Sequence, residues 1–173
     1  VRLAELLVEG LNKLGHREAY ARLTVWPPSI SGGPGVLPAT KGECALLISS
    51  LNASTTSMIS DSAIALGRAK TIGRDAWAHP YEHKHGNYLP SRWAMAEARA
   101  RGLDDVLMCR PDGSPVEASS SNLLVYREGR WATPKLDGAG LRGVARQALI
   151  DRDVLELEMT SDWLTGSSAL ALV

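Results

Sequence analysis

The sequence predicts an α+β protein built in two segments. Three observations carry that expectation: helical and strand periodicities both occur, the strands are short and set off by turn residues, and a polar stretch at residues 51–58 divides the chain. The 173 residues are 45% hydrophobic and 22% charged, which suffices for one substantial core or two small ones. Residues 1–57 are expected to form a smaller α/β domain and residues 58–173 a larger one.

Taken in order, Leu3, Leu6, Leu7, Leu11 and Leu14 recur mostly at three- and four-residue spacing and predict an amphipathic helix ended by Gly15. Residues 19–26 alternate, with Ala21, Leu23 and Val25 on one side and Tyr20, Arg22 and Thr24 on the other, so they predict a strand with a polar face. Pro27, Pro28, Gly32, Gly33, Pro34 and Gly35 make a long loop, and residues 44–49 read as a buried strand. Beyond the linker, residues 63–72 predict a strand and residues 91–101 a helix rich in strong helix formers, closed by Gly102. Residues 106–110, 122–127 and 130–133, separated by Pro111-Asp112-Gly113 and Glu128-Gly129, predict an antiparallel meander. A helix from about Gly143 to Asp151 and a final strand at residues 169–173 complete a fold expected to have two layers.

Charge narrows the function. Nineteen basic residues balance nineteen acidic ones without any block of like charge, so the footprint of a nucleic-acid or membrane-surface binder is missing and a small-molecule ligand is expected. No apolar run approaches the roughly 18 residues of a membrane span, and the start lacks the order of a signal peptide, which points to the cytoplasm. Cys44 and Cys109 stand singly, as buried small apolar residues in a reducing compartment do. Val1 falls inside a helical pattern and Val173 inside an apolar run, so both ends are expected to be cut from something longer.

Four clusters could carry chemistry. His79, Glu82, His83 and His85 include a literal HxxEH, but that motif needs a helix, and Pro80, Gly86 and Pro90 make this stretch a loop, which argues against a metal. Residues 138–143 are a literal GxGxxG ahead of a helix; the strand that a dinucleotide fold requires just before it is replaced by Pro134-Lys135-Leu136-Asp137. Glycines before a helix start still suit a phosphate, the alternative being a plain turn. Lys84, between His83 and His85 and ahead of a turn at Gly86-Asn87, is either a solvated lysine or an amine held in a polar cleft for imine formation. Glu117 is ordinarily a solvated strand-end carboxylate, but the small residues Ala118, Ser119, Ser120 and Ser121 after it could admit a flat ligand; Asn122 reads as a turn residue bonding local backbone.

In sequence, Lys84 with Asn87-Tyr88-Leu89, Asp112-Gly113, residues 117–122, Thr133-Pro134 and Leu141-x-Gly143-x-x-Arg146 resemble the class IV aminotransferases, the fold type IV enzymes of pyridoxal 5'-phosphate (PLP). The resemblance implies the two-domain D-amino acid aminotransferase-like fold, with part of the N-terminal domain and the extreme C-terminus lacking. It also implies PLP as cofactor, a homodimer, and a small-molecule amino substrate. By the same resemblance Lys84 is the catalytic, cofactor-binding lysine and Glu117 the partner of the ring nitrogen. Tyr88 lies near the phenolic oxygen, though one residue closer to the lysine than in relatives. Ser120 belongs to the cofactor-binding run, and Leu141 packs on the ring. The N–H groups of Val144 and Ala145 hold the phosphate with Ser168, and Arg22 of Tyr20-Ala21-Arg22 meets a substrate carboxylate. Relatives have an H-x-x-R-L helix whose arginine binds the phosphate; none precedes Val1, so weak cofactor binding is expected. Residues 133–146 look most like 4-amino-4-deoxychorismate lyase, which releases pyruvate and leaves 4-aminobenzoate. Lyase chemistry is therefore the leading expectation, transamination of D-amino or branched-chain amino acids the next, and a non-catalytic protein on the same fold the third.

Overall fold

A computed structural model of the chain describes residues 3–15, 19–26, 43–50, 63–77 and 81–173. The linker at residues 51–58, the loop at 27–35 and His79 lie outside them. The chain divides into two compact units, residues 1–62 and 63–173.

The first unit contains helix α1 (Leu3–Leu14) and the antiparallel pair β1 (Ala19–Trp26) and β2 (Glu43–Ser50). The helix and β1 follow the periodicities of the sequence. The register sets Ala21 opposite Ile48 and Leu23 opposite Leu46, so these pairs share a face, and Ile48 reaches Gly10 of α1. The expectation of a buried β2 is corrected: Cys44 and Leu47 are exposed, because two strands cannot cover both of their own faces.

The second unit has three layers where two were expected. Helix α2 (Leu89–Ala100) packs on a three-stranded sheet ordered β3 (Leu66–Arg68), β4 (Asp105–Cys109), β5 (Pro115–Ala118). Behind it lies a four-stranded sheet ordered β8 (Leu155–Leu157), β7 (Arg130–Pro134), β6 (Leu123–Arg127), β9 (Ala169–Leu172). The reason is β4, which is buried throughout. Val106 and Met108 point to Ala94 and Ala98 of α2, whereas Leu107 and Cys109 point to Leu123, Val125 and Ala132 of the other sheet. The predicted meander is corrected for the same reason, since β4 pairs with β5 and only β6 and β7 form a hairpin of the second sheet. Helix α3 (Val144–Ile150) connects the parallel pair β7 and β8, and the short helix α4 (Asp162–Thr165) leads to β9.

The strand expected at 63–72 shrinks to three residues because its later N–H groups find another acceptor. The Glu97 carboxylate of α2 accepts from Lys70 N at 2.9 Å, Thr71 N at 2.9 Å and Thr71 Oγ1 at 2.6 Å. Burial opposes the ionised form, but those bonds and Arg101 hold the Glu97 carboxyl down at about 2. The clamp therefore stabilises the fold fully above the ordinary carboxylate range and is lost as pH falls through about 2. Glu97→Ala is expected to cost about 2 kcal/mol in urea unfolding at neutral pH, with a smaller difference from the parent near pH 2.

Candidate functional site

The site is organised by Glu117, whose side chain is 8% exposed on β5. Its carboxyl stands above the usual carboxylate range: burial raises it, and Arg74, the Leu141 N–H and, more weakly, Arg146 oppose that rise without cancelling it. Oε1 receives Arg74 Nη2 at 2.9 Å. Oε2 accepts from Leu141 N at 3.0 Å, with Asn122 Nδ2 at 3.4 Å. The solvated strand-end carboxylate is thus replaced by a buried carboxyl group with three donors.

Asn122 also departs from its local-turn expectation. Its Nδ2 donates to the Leu141 carbonyl at 2.8 Å, and its backbone exchanges bonds with Val173. One amide therefore ties the loop after β7 to the start of β6. Leu136 and Ala139 of that loop pack with Val116, which brings the glycine run against β5. A Cβ at Gly140 would stand 3.1 Å from Glu117 Oε2 and 2.9 Å from Val116 Cγ1. A Cβ at Gly143 would overlap Asn122 Oδ1. Two of the three glycines thus serve close approach to the carboxylate network.

Gly143 is the N-cap of α3, followed by Val144, 89% exposed, and Ala145, also exposed. The first N–H groups of a helix have no carbonyl behind them. Arg146, 2% exposed, anchors the helix from below through Thr133 Oγ1, the Pro134 carbonyl and Glu156.

Lys84 and Tyr88 lie on the segment before α2, both exposed. The expected turn is present: Asn87 N donates to His85 Nδ1 at 3.2 Å and Leu89 N to Asn87 Oδ1 at 3.2 Å. Pro90 starts the helix earlier than predicted because proline suits the first turn. Ser120 is exposed on the tight turn from β5 to β6, in which Ala118 N donates to the Ser121 carbonyl and Asp105 holds Ser119. Ser168 exposes its side chain and gives its N–H to the Tyr126 carbonyl. Arg22 is exposed on β1 of the first unit, opposite Leu47. Of the residues singled out, Glu117, Asn122 and Leu141 are brought into mutual contact. Among the described residues there is no group of three or more metal-ligating side chains and no helix long and apolar enough to cross a membrane.

Arg74 was invisible in the sequence. A single arginine between Gly73 and Asp75 carries no periodicity, and its burial depends on a carboxylate far along the chain.

The profile of the amino-transferase class IV family matches residues 2–169, and the chain belongs to that family. Its α+β architecture is that of the fold type IV PLP enzymes, covering part of longer chains. Over 72 residues it is 40% identical to the mitochondrial branched-chain-amino-acid aminotransferase of Rattus norvegicus, a match spanning 38% of this chain and 18% of that enzyme. Among solved structures it resembles a branched-chain aminotransferase from Thermoproteus uzoniensis with norvaline (TM-score 0.81, 24% identity, 99% of this chain and 59% of the other). It also resembles a putative 4-amino-4-deoxychorismate lyase from Legionella pneumophila (TM-score 0.83, 20% identity, 98% of this chain and 62% of the other). At those identities the two structures speak for the fold. The relative with substantial local identity is a transaminase, which moves the leading expectation from the lyase to the aminotransferases.

Proposed function

We propose that the chain is the cofactor-binding part of a PLP-dependent aminotransferase acting on branched-chain amino acids. The observation that carries the PLP part of this reading is the Glu117 carboxylate, and the choice of reaction rests on the relatives. An ionised carboxyl offers about four acceptor positions, and three donors are in place, which leaves room on Oε1 for one more. A protonated ring nitrogen is such a donor, so the residues present fit the cofactor. Family membership and the local identity to the rat enzyme support the same choice.

When bound, PLP supplies an electron sink for the carbon that bears the substrate's amino group. Lys84 contributes an amine that holds the cofactor covalently and moves the proton at that carbon. Glu117 keeps a proton on the ring nitrogen. Leu141, fixed by its N–H to Glu117 and its carbonyl to Asn122, packs on the ring face. Val144 and Ala145 offer backbone N–H groups to the phosphate, with Ser120 and Ser168 beside the cofactor, and Tyr88 faces its phenolic oxygen. Arg22 takes the substrate carboxylate, for which a guanidinium fork is suited. The active form is a cytoplasmic homodimer.

The lyase remains a second reading because residues 133–146 resemble that branch most. The deciding assay uses full-length protein with PLP and 2-oxoglutarate, offering L-leucine and D-alanine in turn, and separately 4-amino-4-deoxychorismate. Glutamate formed from leucine is the expected result. Pyruvate and 4-aminobenzoate without any glutamate would transfer the assignment to the lyase, and no product from any substrate would sink both.

A further inference from the structure

We propose that Arg74 is a positioning residue of the cofactor site, which fixes Oε1 of Glu117 and balances its charge so that the carboxylate can face a protonated ring nitrogen. The inference rests on the PLP reading above and goes beyond it by assigning a residue outside the motifs that carry the family resemblance.

The geometry is that of a built ion pair. Arg74 Nη2 and Glu117 Oε1 lie 2.9 Å apart, with side chains only 6% and 8% exposed, so solvent screens the pair little. Arg74 is itself immobilised. Its backbone N–H donates to the Cys109 carbonyl at 2.9 Å, Nη2 is 3.4 Å from Ser91 Oγ, and the Tyr81 ring lies 4.2 Å from Cζ. Nε is buried without a partner among the described residues. Arg74 also lines a cleft of about 360 Å³ with Arg68, Lys70, Tyr81 and Arg110.

Among the described residues no other cation does this work. The charged groups that act on Glu117 are Arg74 and, more weakly, Arg146, and Arg146 is committed to Glu156, Thr133 and Pro134. The remaining donors, Leu141 N–H and Asn122 Nδ2, are neutral and occupy Oε2. Without Arg74 the buried carboxyl would be displaced further towards its neutral form, since burial favours that form and Arg74 is the strongest charge opposing it. A neutral carboxyl no longer favours a proton on the ring nitrogen, and the ring becomes a poorer electron sink. Arg74 thus acts on the cofactor through Glu117 and need touch neither cofactor nor substrate.

The test compares R74M, R74K and the double variant R74M/E117Q with the parent in the full-length protein. PLP affinity, the pH dependence of the visible absorbance of the reconstituted protein, kcat and KM, and thermal stability are measured. R74M is expected to weaken PLP uptake and to lower kcat by about 10- to 100-fold, by analogy with the loss of an outer partner of a metal ligand, with little change in amino-acid KM. It should also shift the pH at which the visible band titrates, and R74K should recover most of the loss. In the cofactor-free protein R74M/E117Q should be more stable than R74M, because the buried carboxyl that has lost its counter-charge is replaced by a neutral amide. An R74M protein with parental PLP affinity, kcat and spectrum but a lower melting temperature would make the pair purely structural and overturn the inference. If R74M does not fold, R74K and R74M/E117Q carry the test: R74K, which keeps the charge, should retain most of the kcat, and a double variant that folds no better than R74M overturns the inference. Failure of the parent protein to take up PLP would overturn the PLP reading itself, and the inference with it.

Discussion

Lys84→Ala is expected to abolish the visible absorbance of the PLP-reconstituted protein and to lower transaminase turnover by at least about 10⁴-fold. The lysine is assigned two tasks, covalent attachment of the cofactor and proton transfer at the substrate carbon, and proton transfer alone is worth roughly 10²- to 10⁴-fold. Because Lys84 is exposed, its removal leaves no cavity and no unpaired buried group. Stability should therefore change by no more than about 0.5 kcal/mol. That separation makes the variant informative: a folded protein without the absorbance band and without activity identifies the attachment point. Borohydride treatment of the parent protein should remove the same band and leave a stable adduct at Lys84 in a peptide map. A variant that keeps the band would place the attachment elsewhere and undo the central assignment.

The same lysine shows what sequence pattern reveals and what it does not. The order of motifs pointed to Lys84, Glu117 and the Leu141-to-Arg146 segment, periodicity located α1, β1 and α3, and helix propensity with a closing glycine located α2. Strand β5 was missed because Pro115–Ala118 is four residues long and opens on proline, which local propensity counts against a strand although a first strand position tolerates it. Without β5 the burial of Glu117 was invisible as well, and so was the division of the predicted meander between two sheets. Strand β8 escaped for a related reason: three exposed or half-exposed residues carry no alternation, and only the parallel partner β7 defines them. Arg74 and Asn122 belong to a third kind. Their roles lie in bonds to residues distant along the chain, which no local rule encodes.

Arg146→Met is expected to lower the stability of the folded protein by about 3 kcal/mol, the largest of the stability losses argued for this chain. The side chain is 2% exposed and is the largest fully buried one in the described structure. It gives Nε to Thr133 Oγ1 at 3.2 Å and Nη2 to the Pro134 carbonyl at 2.8 Å and to Glu156. These three acceptors sit on β7 and β8, the two strands that α3 connects, so one guanidinium closes the whole crossover. Methionine restores much of the volume and none of the donors, leaving the Pro134 carbonyl and Thr133 hydroxyl buried; Glu156, 42% exposed at its side chain, can turn to water. The loss should therefore fall below the upper end of the range for breaking buried ion pairs, and Glu156→Gln should cost about 1 kcal/mol or less because an acceptor remains. Thermal unfolding of both variants at neutral pH checks the order. Because α3 begins with Val144 and Ala145, a loosened Arg146 should also weaken PLP uptake, whereas Glu156→Gln should leave it near the parent. Equal losses in the two variants would show that the pairing with Glu156, and not the buried bonds to β7, holds the helix in place.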